Sequence, residues 1–110
     1  MVYDGAGGMF AARAWWMLRW IGHAQVAVLD GGLPAWERAG GALTTTAPAA
    51  RTAPLALKAS LVGYVDAAAV QANLASAAST LIDARGPDRY DGSAETIDPV
   101  GGHIPGAINL

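Results

Sequence analysis

Two short apolar runs, Val26-Ala27-Val28-Leu29 and Thr80-Leu81-Ile82, each stop at an aspartate. Runs this short and continuous, with β-branched residues among them, read as strands buried on both faces, the kind found inside a parallel sheet. What surrounds the first run supports this. Met1-Val2-Tyr3 reads as the end of another buried strand, and Asp4-Gly5-Ala6-Gly7-Gly8 as a flexible turn. A helix is expected over Met9–Ile21, where Phe10, Ala14, Met17, Leu18 and Ile21 share one face. Trp15, Trp16 and Trp20 widen that face, so the helix should be covered on two sides, as at a domain interface. Gly22 is a natural helix stop. After Asp30-Gly31-Gly32, Pro34 suits a first helical turn, and Ala35–Ala39 should form a short helix closed by Gly40-Gly41. Strand, turn, helix, repeated, is the rhythm of an α/β fold with a parallel sheet.

Residues 42–60 change character. Thr44-Thr45-Thr46, Pro48 and Pro54 among small residues predict an extended linker. A second unit begins near Val62. Asp66 should cap a helix from Ala67 to about Ala77, with Val70 and Leu74 as an i,i+4 pair. The run Thr80–Ile82 follows, then a long polar loop from Arg85 to Gly101, then a turn at His103-Ile104 into a last strand.

Composition narrows the chemistry. The chain of 110 residues carries a net charge of −2, with no run of like charge, which argues against a nucleic-acid surface. It has no cysteine, so disulfides, thiolate metal sites and persulfide chemistry are excluded on its own residues. The apolar stretch Met9–Ile21 is too short and, with Arg13 and Arg19, too charged to span a bilayer. No signal peptide is visible, and a cytoplasmic protein without membrane contact is expected.

Several residues could carry chemistry. Arg89 follows a strand end by a few residues, at the edge of a parallel sheet where ligands bind. Its guanidinium could hold a carboxylate or sulfonate through two parallel hydrogen bonds. The alternative, which spacing alone favours, is a surface ion pair with Asp88 or Asp91. Asp83 can accept N–H bonds from its own turn, and Arg85 can pair with an acidic loop residue. His103 reads as a satisfied hydrogen-bonding residue, since no other His, Cys or carboxylate stands at metal spacing. His23 can complement a helix C-terminus. The turn at Asp4 precedes a helix N-terminus, where backbone N–H groups favour an anion. A dinucleotide-binding turn would need a third glycine where Phe10 stands. Asp4 itself is the better source of the negative charge.

Two groups of motifs then carry a resemblance. Val2-Tyr3-Asp4, Arg13-Ala14-Trp15-Trp16, Gly22-His23, Val26–Gly32 and Trp36 resemble the second half of a rhodanese-like domain. More narrowly, they resemble the non-catalytic first domain of a tandem-domain thiosulfate or 3-mercaptopyruvate sulfurtransferase. Asp83-Ala84-Arg85, Arg89-Tyr90, Gly92, Asp98-Pro99 and Gly102-His103-Ile104-Pro105-Gly106-Ala107 resemble the first half of the catalytic second domain. The resemblance implies half-domains at 1–41 and 61–110 joined by a linker at 42–60. As complementary halves they could pack as one permuted domain or exchange between two chains. It also implies a reaction. A cysteine takes sulfur from a small anionic donor, becomes a persulfide and passes the sulfur to cyanide or a thiol, with no cofactor. Arg89 matches the arginine that binds the donor's anionic group. Asp4 matches the cysteine position of the first domain, where a carboxylate cannot form a persulfide. Asp83, Arg85, His103 and Gly106 match structural positions of the motif. The family's cysteine would lie beyond Leu110, so this chain alone should be inactive. A non-catalytic rhodanese-like interaction module, binding through its tryptophan-rich surface, is the alternative.

Overall fold

A computed structural model describes residues 1–49 and 54–110. Of the linker expected over 42–60, residues 50–53 therefore lie outside the described residues. The chain divides into two compact units, Met1–Tyr64 and Val65–Leu110.

In the first unit, α1 (Met9–Trp20) and α2 (Gly32–Arg38) flank one parallel bridge between Val2 and Val28. Val2 N–H donates to the Ala27 carbonyl at 2.8 Å, and Leu29 N–H returns to the Val2 carbonyl at 2.9 Å. α1 ends as glycine-stopped helices do. Gly22 N–H bonds the Arg19 carbonyl at 3.0 Å and His23 N–H the Leu18 carbonyl at 2.9 Å, satisfying carbonyls the helix leaves open. The same end receives Lys58 N–H on the Ile21 carbonyl and Leu61 N–H on the Arg19 carbonyl, both at 3.0 Å. Trp36 is tied to the chain beyond its helix by Nε1 donating to the Ala42 carbonyl at 3.1 Å.

In the second unit, α3 (Ala67–Ser76) starts at Asp66, whose carboxylate accepts the Ala69 N–H at 2.9 Å. Asn73 closes the helix end by exchanging two bonds with the Ser79 backbone, at 2.8 and 2.9 Å. The strands β1 (Ile82–Asp83) and β2 (Ile108–Asn109) pair in parallel, Ile82 with Ile108 and Asp83 with Asn109. Between them lies α4 (Pro87–Asp91).

Helices and short parallel pairs are consistent with an α/β fold, and three expectations need correction. The run Val26–Leu29 is not buried on both faces: only Val28 makes a bridge, and its side chain is exposed. Thr80-Leu81-Ile82 is not a buried strand either. Pairing starts at Ile82, which is 57% exposed. In both cases, among the described residues of its unit, the run is bonded along one edge only and no second layer covers its faces. The polar stretch from Arg85 to Gly101 is not all loop. Pro87 sits at the first position of α4, where its missing N–H costs nothing and its fixed φ suits a helix.

α1 also departs from expectation. Ala11 is its one buried residue, whereas Met9, Phe10, Met17 and Trp20 are exposed. Among the described residues of the unit, the two-sided cover expected from the tryptophans is not made. Instead the aromatic rings contact their own helix: Trp16 and Trp20 stack at 5.6 Å between centroids, and the Arg19 guanidinium lies 5.1 Å from the Trp15 ring.

Candidate functional site

Each unit holds one arrangement of charged groups, and each is described by itself. The first is built on Asp4. The chain turns directly after the Val2 bridge, and three backbone N–H groups converge on the Asp4 carboxylate. Oδ1 accepts from Ala6 at 2.8 Å and Gly8 at 2.9 Å, and Oδ2 accepts from Ala11 at 2.8 Å. Ala11 belongs to the first turn of α1, so the carboxylate also meets the positive end of that helix. These bonds, that from Ala11 foremost, hold the Asp4 carboxyl below the usual carboxylate range. Asp4 is anchored from the other side as well, its carbonyl accepting the Leu33 N–H at 2.9 Å. Gly32 makes this approach possible. Its φ is +57°, and an added Cβ would overlap the Asp4 carbonyl oxygen. An external phosphate at this turn would have to displace a carboxylate that already occupies the N–H groups.

The second arrangement spans the carboxyl end of β1, α4 and the loop after it. Arg85 uses almost its whole fork. Nε and Nη2 hold the two oxygens of Asp83 at 3.0 and 2.6 Å, and Nη2 also donates to the Gly102 carbonyl at 2.6 Å. Nη1 lies 3.5 Å from Glu95. Asp83 further accepts the Arg85 backbone N–H at 3.0 Å. The Arg85 guanidinium is the main reason that the Asp83 carboxyl falls to about 2, and Asp83 in turn raises Arg85.

Arg89, on α4, pairs with neither Asp88 nor Asp91 through its side chain. Nε donates to Glu95 at 3.0 Å, and Nη2 to Asp98 at 2.8 Å. Nearness in sequence pointed to Asp88 and Asp91, but on this short helix Asp88 accepts the Arg89 backbone N–H instead. The loop then folds back to present Glu95 and Asp98. Glu95, missed by sequence reasoning, is the centre of the arrangement. Its side chain is 5% exposed, lies near both arginines, and accepts N–H bonds from Ile97 at 2.8 Å and Asp98 at 2.9 Å. The Asp98 N–H, then Arg89, then the Ile97 N–H bring its carboxyl to about 2. The available signal was one glutamate in a loop that follows two arginines.

His103 and Gly106 lie in the turn before β2. The His103 ring stacks on Tyr90 at 3.8 Å between centroids, with Nδ1 2.8 Å from the Tyr90 carbonyl. The Tyr90 hydroxyl donates to the Ala107 carbonyl at 2.6 Å. Ile104-Pro105-Gly106-Ala107 forms a turn closed by Ala107 N–H on the Ile104 carbonyl, and its third position needs the +80° φ that Gly106 has. His23 is half-buried at the end of α1. Among the described residues no group of three His, Cys, Asp or Glu side chains could hold a metal ion. Among them also, no helix is long and apolar enough to cross a membrane.

Comparison with known proteins adds the decisive observation. The family described as "Rhodanese-like domain" matches residues 1–39 and 66–110. The chain belongs to the rhodanese-like family. It is 46% identical over 97% of its length to a protein of Pseudomonas aeruginosa named "Probable 3-mercaptopyruvate sulfurtransferase", of which it spans 38%. It is 38% identical over its full length to a thiosulfate sulfurtransferase of the same organism, spanning 40% of it, and 37% identical to one of Gallus gallus, spanning 39%. The chain thus covers about two-fifths of the length of these relatives. In this rhodanese-like chain the carboxyls of Asp83, paired with Arg85, and of Glu95, held by the Asp98 N–H and Arg89, should make the second unit acid-sensitive. These carboxyls titrate near 2, below the roughly 4 of an unfolded chain, so they add stability that is complete above about pH 5. That stability should drain away between about pH 4.5 and pH 2, seen as loss of the Ile108 and Asn109 amide shifts in an acid titration. Shifts unchanged down to pH 2 would contradict the pairing.

Proposed function

We propose that the chain serves a rhodanese-type sulfurtransferase by holding the anionic end of a small sulfur donor, thiosulfate or 3-mercaptopyruvate, at Arg89. The observation that carries this reading is the state of the Arg89 guanidinium: Nε and Nη2 both rest on the nearly buried Glu95 at 3.0 Å, and Nη2 also meets the exposed carboxylate of Asp98 at 2.8 Å. A guanidinium oriented from behind, and covered in front by one exposed and exchangeable carboxylate, suits an incoming carboxylate or sulfonate. In the reaction a cysteine thiolate attacks the donor's outer sulfur. The sulfur–sulfur bond of thiosulfate breaks, sulfite leaves with the electron pair, and the persulfide then yields its sulfur to cyanide or a thiol. No residue of this chain can be that nucleophile, since it contains no cysteine, so the persulfide forms on a cysteine outside these residues. On this reading residues 1–41 correspond to part of a non-catalytic first domain and 61–110 to part of the catalytic second domain of a tandem enzyme. Asp4 stands in the first domain's cysteine position.

The test is direct. Given thiosulfate and cyanide, the chain should form no thiocyanate above background. Thiosulfate should still shift the Arg89 side-chain resonances, and Arg89→Ala should weaken its binding about ten-fold or more, as expected for charge-assisted hydrogen bonds. Turnover by the chain alone, or equal binding by Arg89→Ala, would refute the assignment.

A further inference from the structure

We infer that Asp98 is a built-in competitor for the anion seat on Arg89, and that it biases the site toward singly charged donors. The inference rests on Arg89 being the donor's seat. Arg89 has two carboxylate partners of opposite character. Glu95 is 5% exposed and held by two backbone N–H groups besides its contacts with Arg85 and Arg89, so it is part of the scaffold. The Asp98 side chain is 54% exposed, and Arg89 Nη2, at 2.8 Å, is the one hydrogen-bond partner of its carboxylate among the described residues. An exposed pair of this kind is weak and exchangeable. Asp98 also lines the open cleft bordered by Ile82, Asp83, Arg85, Gly102 and His103, whereas Arg89 does not.

The chemistry of the competition follows. The backbone N–H of Asp98 is fixed on Glu95 at 2.9 Å, so the residue stays beside the site even when its side chain swings away. A donor anion that takes Nη2 therefore remains close to the displaced carboxylate. Repulsion scales with the product of the charges. A dianion such as thiosulfate feels it about twice as strongly as the single carboxylate of 3-mercaptopyruvate. Asp98 thus disfavours both donors, and thiosulfate more.

The experiment uses the 110-residue chain, Asp98→Asn, Asp98→Ala and Arg89→Ala. Thiosulfate and 3-mercaptopyruvate are titrated separately, against the Arg89 Nε–H resonance where Arg89 is present and against the Glu95 and Asp98 amides in Arg89→Ala. The Ile108 and Asn109 amides report that the second unit is intact. Both Asp98 variants should bind thiosulfate about two- to five-fold more tightly, the worth of one exposed ion pair. The gain should be smaller for 3-mercaptopyruvate. If both donors bind the unaltered chain at Arg89 but neither Asp98 variant changes their affinity, or both gain equally, the role given to Asp98 is overturned while Arg89 stands. If thiosulfate leaves the Arg89 resonance unmoved in every form that keeps Arg89, the seat itself is wrong and both readings fall.

Discussion

An Asp4→Cys chain should carry a thiol that ionises at least one pH unit below an ordinary cysteine. The reason is on the backbone, not in the side chain that is replaced. The N–H groups of Ala6, Gly8 and Ala11 already converge on one negative charge, at 2.8 to 2.9 Å, where α1 begins. Such groups stabilise a thiolate as they stabilise a carboxylate, and cysteines at helix N-termini fall to between about 3.5 and 7.5, against about 8.5 unperturbed. Each unit of lowering raises the thiolate fraction at pH 6 about ten-fold. The chain has no other cysteine, so the ultraviolet absorbance of the thiolate against pH and the rate of alkylation at pH 6 report this one site. An ordinary titration near 8.5, with α1 intact, would show that the N–H groups are organised by the Asp4 carboxylate and do not pre-exist it. That outcome would also weaken the reading of Asp4 as a replaced cysteine.

Arg85→Ala should return the Asp83 carboxyl from about 2 most of the way to the 4 of a free aspartate. The largest cause of its low value is the Arg85 side chain, while the Arg85 backbone N–H bond survives the substitution. The same change releases the Gly102 carbonyl and removes a cation from beside Glu95. The second unit should therefore be less stable at neutral pH and should lose the part of its acid sensitivity that Asp83 supplies, because the folded and unfolded carboxyls then titrate alike. Carboxyl carbon shifts followed through the titration measure this. Arg85→Lys should restore little of it. One ammonium keeps the charge but cannot reach both oxygens of Asp83, the Gly102 carbonyl and Glu95 at once. Full rescue by lysine would mean that charge, and not the forked geometry, sets the Asp83 titration.

What was legible in the sequence is what short-range chemistry decides. Asp66 reads as a cap because an aspartate three residues before an N–H can reach it, and its carboxylate meets Ala69. Gly22 reads as a stop because glycine ends helices, and α1 ends there through bonds spanning three and five residues. The family was legible too, since the motifs from Val2 to Trp36 and from Asp83 to Ala107 are themselves strings of local sequence. Tertiary structure alone decided the partners of Arg89. Glu95 and Asp98 lie six and nine residues away, and they reach the guanidinium only because α4 and the following loop turn the chain back. It also decided exposure. Val28 and Ile82 are as apolar as any core residue, but burial depends on a neighbour that packs against them. No local pattern reports whether that neighbour is in place.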